Sequence, residues 1–325
     1  MQTTLILTAS DEAQASQFRR QLEKREKLDL LHGVRQWRVI PDPPDLRVGS
    51  GGSTIHVLRE ICGGKPPSKA LSGQRVLVIH AGGESRRMPA YSVCGKVFCP
   101  IPGQATSALP LTLFDAQLET YLKLPQNPEG QITIFAGDVL LRFDPDAVDL
   151  SRPGLTGVAA WESPEEASGH GVYADVSDSG QVQSFLQKPS VEEMEREEAL
   201  DDRGRAAIDL GVMSFTPDFA DRLLDVADIT CNDASETVPP LDFYTEIACC
   251  LPDNSDFDDY AAVVRQHGAS GFGRKKLKHI WELLHEEPFH CTVLDRCDFL
   301  HFGTSQDYLD SAQRLSYENR VHATE

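Results

Sequence analysis

Val76-Leu-Val-Ile-His-Ala-Gly-Gly-Glu-Ser-Arg-Arg-Met-Pro89, followed by Lys96, decides how this chain is read. Val76 to Ile79 is an unbroken apolar run, the pattern of a strand covered on both faces. It leads directly into Gly82-Gly83, and Arg86, Arg87 and Lys96 come next. A strand end, a turn without side chains and fixed cations are the parts needed to hold a polyanion. Glycine lets the backbone approach a phosphate, and the cations neutralise it. The stretch is not a P-loop, because no Gly-Lys-Ser/Thr closes the turn.

The rest of the composition sharpens this reading. The 325 residues carry a formal net charge of −19. Such a chain lacks the basic surface that nucleic acid or an anionic membrane requires. Against that acidic background, Arg86, Arg87 and Lys96 stand out; the alternative is a solvated basic patch. A length of 325 residues with 40% hydrophobic content suits one main α/β domain over 1–325. The eight cysteines include no Cys-x-x-Cys pair, and Cys249 and Cys250 lie in an apolar run. They read as reduced, buried thiols of a cytoplasmic protein. Cys291 and Cys297 with His285 and His290 match no structural zinc spacing. No basic-then-apolar leader and no run of membrane-spanning length is visible, which favours a soluble, cytoplasmic chain.

Outward from the signature, strands are predicted at Thr4–Ala9, Gln131–Ala136, Gly157–Trp161, Gly171–Val176, Gln181–Leu186, Ala206–Phe215, Phe289–Leu294 and Asp298–His301. Helices are predicted at 10–27, 113–124, 191–202, 217–227, 241–251 and 305–315. Gly49-Ser-Gly-Gly-Ser-Thr54 is a second glycine-rich loop that opens a helix, with Ile55, Leu58 and Ile61 on one face. Its free N–H groups would favour an anion or a base edge. Gly268–Lys278, with Arg274, Lys275, Lys276 and Lys278, reads as a lid or as a solvated helix start. Alternating strands and helices imply a mostly parallel twisted sheet with helices on both faces. Ligands of such sheets bind at the carboxyl ends of strands. Gly82-Gly83, Gly137-Asp138 and Lys188 all follow predicted strands, so they would face one crevice.

The chemistry of these positions is phosphate chemistry. Asp138 suits Mg²⁺, which takes oxygen ligands and keeps water and phosphate oxygens; the alternative is a helix N-cap. Arg87 and Lys96 would stabilise charge spreading over phosphate oxygens. Lys188 would hold a second phosphate, or is a surface lysine before a turn proline. Asp209, a polar residue inside an apolar strand, needs a partner and could anchor a sugar hydroxyl. A sugar phosphate is already anionic, so no general base is demanded.

With these residues in view, the chain resembles the fucose-1-phosphate guanylyltransferase (GDP-fucose pyrophosphorylase) family, including the transferase half of bifunctional fucokinases. The resembling segments are Leu5–Ser10, Gly49–Thr54, His80–Pro89 with Gly95-Lys96, Gly137–Val139, Phe185–Ser190, Asp209–Phe215, Asp242–Ile247 and His301–Ser305. The resemblance implies a Rossmann-like nucleotidyltransferase fold, GTP and a sugar 1-phosphate as substrates, and Mg²⁺ as cofactor. The implied reaction is GTP plus L-fucose 1-phosphate to GDP-L-fucose and pyrophosphate. Gly49, Gly51, Gly52, Gly82, Gly83 and Arg86 would then meet the nucleotide. Arg87, Lys96 and Asp138 would be catalytic, with Asp138 the metal ligand, and Lys188 and Asp209 would meet the sugar phosphate.

Two departures qualify the resemblance. Where related sugar nucleotidyltransferases carry a metal-binding Asp before a late Gly-Thr, this chain has His301, a poor Mg²⁺ ligand. The 325 residues also leave no room for a β-helix or kinase domain, so the expectation is a free-standing transferase or part of a longer enzyme. The alternatives are transfer to another hexose 1-phosphate such as mannose 1-phosphate, or a non-catalytic nucleotide-sugar sensor. A dinucleotide reductase is disfavoured, because no ribose-binding acid follows Gly49–Thr54 at about 20 residues.

Overall fold

Two rows of side chains show why the central strands form one sheet. Leu7, Ile79, Phe135 and Val212 stand side by side across four strands and join one apolar cluster. Ile6, Val78, Ile134 and Met213, each one residue away, join the cluster on the opposite face. Strands buried on both faces need no polar alternation, which explains the continuous apolar runs.

The computed structural model describes residues 3–82, 87–91, 94–105, 107–231 and 238–322, so Gly83 and Arg86 lie outside the described residues. The strands are β1 (Thr3–Ala9), β2 (Val34–Pro41), β3 (Arg75–His80), β4 (Gln131–Ala136), β5 (Val139–Arg142), β6 (Leu155–Glu162), β7 (Gly171–Val176), β8 (Val182–Gln187), β9 (Ala206–Phe215), β10 (Phe289–Leu294) and β11 (Asp298–His301). The helices are α1 (Glu12–Lys27), α2 (Gly49–Cys62), α3 (Pro67–Ala70), α4 (Leu113–Lys123), α5 (Pro164–Ala167), α6 (Val191–Arg196), α7 (Pro217–Thr230), α8 (Phe257–His267), α9 (Arg274–Leu284) and α10 (Ser305–His322). The main sheet runs β10-β6-β9-β4-β3-β1-β2, with the β7–β8 hairpin joined to β9; β11 and β5 form a separate ribbon.

The expected mostly parallel sheet is corrected to a mixed one. β2, β1, β3 and β4 are parallel, as are β6 and β10. β9 runs against β4, β6 and β7, and β7 runs against β8. The β7–β8 connection is a short turn, and parallel strands would need a crossover of about a dozen residues. Helices do cover both faces. α1 and α4 pack on one cluster, and α2, α7, α8 and α9 on the other.

Several element predictions shift. The predicted loop Gly49–Thr54 is already the first turns of α2. The helix predicted to 202 ends at Arg196, after a Ser190/Glu193 capping box. The helix predicted over 241–251 is a π-helical turn, Phe243–Ile247, followed by a short 3-10 turn. The segment Arg274–Lys278 begins α9. β2 and β5 were not foreseen: β2 is a partly polar edge strand and β5 has only four residues.

A buried ion pair ties α1 to α4. The Arg25 guanidinium donates to both Asp115 carboxylate oxygens (2.6 and 2.8 Å) and to Thr112 Oγ1 (2.9 Å). Burial alone would raise the Asp115 pKa, but hydrogen bonding and charge from Arg25 bring it below the usual value. The same guanidinium lies over the rings of Phe98 and Phe114. Removing one partner of such a pair costs about 3 kcal/mol or more, because the other charge is left buried. Phe98 belongs to the turn that carries Lys96, so this packing bears directly on the site.

Candidate active site

A cleft of about 800 Å³ opens at the carboxyl ends of β3 and β4, where β9 reverses direction. That is where open α/β sheets place ligands, and the volume suits a nucleotide-sized one. Gly82, Arg87, Lys96, Asp138, Lys188 and Asp209 all line it. So do Arg47, Ser50, His80, His170, Gln187, Asp242, Tyr244 and His301.

Lys96 is aimed by its neighbours. Gly95 has φ +73°, and a Cβ there would sit 2.6 Å from the Phe18 ring. The turn Lys96–Phe98 then buries Val97 and Phe98, with Phe98 against Phe18 and Phe114. With those two side chains buried, Lys96 is turned to the cleft, where Nζ meets Asp138 Oδ2 at 3.0 Å. Gly137 brings Asp138 there: its N–H donates to the His80 carbonyl (3.1 Å), and a Cβ would clash with that oxygen at 2.6 Å. Asp138 connects β4 to β5 and no helix follows, so it is not an N-cap.

His301 shares this corner. Its Nε2 is 3.8 Å from Asp138 Oδ2 and its Nδ1 is 3.4 Å from Asp307 Oδ2. Among the described residues no three His, Cys, Asp or Glu side chains converge into a metal cage. Mg²⁺ often uses one or two carboxylates and completes its shell with water and phosphate oxygens. A partly exposed Asp138 beside the Lys96 ammonium fits a divalent ion on those terms.

Asp209 sits in a bulge. Between Gly157 and Ala159 the β6 strand advances two residues while β9 advances from Met213 to Asp209. Bulges re-aim side chains next to sites. Gly211, at φ +70°, permits the turn, and its N–H donates to Asp209 Oδ2 (2.9 Å). The Tyr173 hydroxyl donates to Oδ1 (2.9 Å). Burial pushes the Asp209 carboxyl up to about 7, against the pull of those two donors. Gly157 makes room for Tyr173, since a Cβ there would meet the hydroxyl oxygen.

The cleft wall near α2 differs from the sequence reading. Gly49, Gly51 and Gly52 do not line the cleft, because the N–H groups of Gly51 and Gly52 donate to the Leu241 carbonyl (2.8 and 3.1 Å). The helix start is thereby capped by backbone rather than left open for an anion. Their glycine identity is steric: a Cβ on Gly52 would collide with the Pro239 carbonyl. The close packing turns Ser50 into the cleft, where its hydroxyl donates to Asp242 Oδ2 (2.9 Å) and accepts from the Phe243 N–H (2.8 Å). His80 lies behind it. The Thr54 hydroxyl donates to the Ser50 carbonyl (2.8 Å), so its oxygen accepts from His80 Nε2 (3.0 Å). Burial pushes His80 down to about 4, so it is neutral at physiological pH despite nearby Asp242.

Lys188 is held in an uncommon conformation. It has φ +51° directly before Pro189, where left-handed backbone is disfavoured, and its N–H donates to the His170 carbonyl (2.9 Å). That bond fixes Lys188 against the start of β7. Burial lowers the His170 pKa, and nearby His301 adds to the shift. Sequence reading missed His170, Arg47, Ser50, Asp242 and Tyr244 as cleft residues. The segments Asp242–Ile247 and Gly49–Thr54 did signal the region, but not which side chains face inward.

The described site is therefore a cationic cleft with Asp138 at one corner. A family model described as the fucose pyrophosphorylase domain matches residues 68–323, most of the chain and all of the cleft from β3 onward. Fucose-1-phosphate guanylyltransferase of Mus musculus is 29% identical over 341 residues, covering 94% of this chain and 55% of that protein. Bifunctional fucokinase/GDP-fucose pyrophosphorylase of Arabidopsis thaliana is 26% identical over 348 residues, covering 94% of this chain and 31% of that protein. The chain thus spans about half the length of the first relative and about a third of the second. A nucleoside-diphosphate-sugar pyrophosphorylase from Vibrio cholerae RC9 superposes with a TM-score of 0.42 at 9% identity, over 96% of this chain and 80% of that one. On the match from β3 to α10, the chain belongs to the fucose pyrophosphorylase family.

Proposed function

We propose that this chain transfers the guanylyl group of GTP to L-fucose 1-phosphate, releasing pyrophosphate and forming GDP-L-fucose. The observation that carries the reading is the gathering of Arg87, Lys96 and Lys188 with Asp138 in one cleft of a chain with net charge −19. Family membership supplies the substrate pair.

In this reading a sugar phosphate oxygen attacks the α-phosphorus and the α–β bridging bond breaks. Lys188 holds the attacking phosphate. Arg87 and Lys96 face the triphosphate and stabilise the charge that builds on the leaving pyrophosphate. Asp138 would hold a divalent cation, Mg²⁺ by the resemblance, with phosphate oxygens and water. Such an ion, when bound, neutralises phosphate charge beyond what the lysines can. The nucleotide end falls to Gly82, Arg47, Ser50 and Asp242, with Gly83 and Arg86 outside the described residues. Gly49, Gly51 and Gly52 serve that end indirectly, by seating α2 against Pro239–Asp242. Asp209 lies toward the sugar and presents a carboxyl already bonded by Tyr173 and Gly211.

Among the described residues no disulfide forms and no helix is long and apolar enough to cross a membrane. Pyrophosphate release on mixing GTP with fucose 1-phosphate tests the proposal, and binding of GTP without release would replace it with the sensor reading.

A further inference from the structure

His301 is built into its position as firmly as Asp138. β11 pairs with β5 so that His301 stands opposite Val139, and the Phe302 N–H donates to the Asp138 carbonyl (2.7 Å). The His301 carbonyl accepts from the Ser311 hydroxyl of α10 (2.9 Å). The ring lies over Gly303, where a Cβ would collide with Cε1. Its Nδ1 is 3.4 Å from Asp307 Oδ2, and that oxygen also accepts the Thr304 N–H (2.8 Å). With Asp307 on its Nδ1 side, the ring turns Nε2 toward Asp138. The Nε2 to Asp138 Oδ2 distance of 3.8 Å is too long for a hydrogen bond. Two metal–ligand bonds of about 2.1 Å can span it. Lys96 takes one lone pair of Oδ2 and leaves the rest of the carboxylate available.

An imidazole ligand with a carboxylate behind it is the arrangement metal sites use to orient histidine. It is a poor arrangement for Mg²⁺, which takes oxygen donors. Imidazole instead favours first-row transition ions. We propose that His301 Nε2 and Asp138 are joint donors to one divalent ion, and that this mixed pair selects a first-row transition ion over Mg²⁺. The inference rests on the transferase reading and changes the identity of its cation.

The test is electron spin-echo spectroscopy of the whole chain with Mn²⁺ and inorganic pyrophosphate, which brings phosphate oxygens but no nitrogen. The expected spectrum shows ¹⁴N coupling from an imidazole. It persists in His170→Ala, the cleft imidazole beside it, whose ring is 6.2 Å from that of His301. It vanishes in His301→Ala, with His301→Asn as a second variant should the first fold poorly. Mn²⁺ affinity should fall about tenfold in either variant and in Asp307→Ala, and Mg²⁺ should compete better in His301→Asp. Bound Mn²⁺ without nitrogen coupling, coupling that survives loss of the His301 ring, or no Mn²⁺ binding would overturn the inference. Pyrophosphate release is scored separately. Coupling without turnover keeps the metal assignment and removes the transferase reading, whereas turnover without coupling does the reverse.

Discussion

Lys96 Nζ lies 3.0 Å from Asp138 Oδ2, although the two residues belong to different segments. Each is fixed by a glycine packed against a neighbour, Gly95 on Phe18 and Gly137 on the His80 carbonyl. The pair is partly exposed to the cleft, at 14% and 30% for the two side chains. It holds a cation and an anion at the same point; in the proposed reaction an arriving phosphate would take over Lys96 and free Asp138 for a metal ion.

Removing either charge should disable the chemistry and spare the fold. Lys96→Ala and Asp138→Asn are each expected to lower the rate of pyrophosphate release about a hundredfold or more. Thermal melting should stay near that of the parent chain. Activity within a few-fold of the parent in Asp138→Asn would remove this carboxylate from the mechanism.

Lys188→Ala should raise KM for the sugar phosphate more than KM for GTP. The basis is its place just past β8, bonded to the His170 carbonyl and on a different segment from the Lys96 turn. Steady-state kinetics with each substrate varied in turn checks the ranking, and the opposite order would exchange the two phosphate positions.

Asp209 should make stability depend on pH. Its ordinary pKa is 3.8 and burial raises it to about 7. Between those values the folded chain holds a proton that the unfolded chain has released. The contribution is therefore complete below 3.8 and is lost as pH rises through about 7. Asp209→Asn removes the titration, so its stability relative to the parent should climb across that window. Parallel denaturation curves for the two proteins from acid to neutral pH would contradict this.

Gly157→Ala should destabilise by about 1–3 kcal/mol through overpacking against the Tyr173 hydroxyl. The same change in a Tyr173→Phe background should cost less, because the obstructing oxygen is gone. Chemical denaturation of the single and double variants measures the coupling, and additive losses would mean that the β6 strand absorbs the methyl elsewhere.

Much of this was legible in the residues. The apolar runs at Val76–Ile79 and Gln131–Ala136 predicted strands because burial on both faces leaves only apolar side chains. The glycines and cations that follow them marked the cleft. The direction of β9 was not legible, since an apolar run carries no sign of which way it is paired. The glycines of Gly49–Thr54 predict an anion-binding loop opening a helix, because glycine signals close approach without saying to what. Here the neighbour is the chain's own Leu241 and Pro239 backbone. His170, Asp242 and Tyr244 reach the cleft through long-range packing that no local spacing records.

The most direct test is pyrophosphate release across GTP, ATP, UTP and CTP, each with fucose 1-phosphate or mannose 1-phosphate and a divalent cation. The account predicts release with GTP and fucose 1-phosphate well above every other pairing. Release that prefers another nucleotide or mannose 1-phosphate, or none with GTP bound, would contradict it.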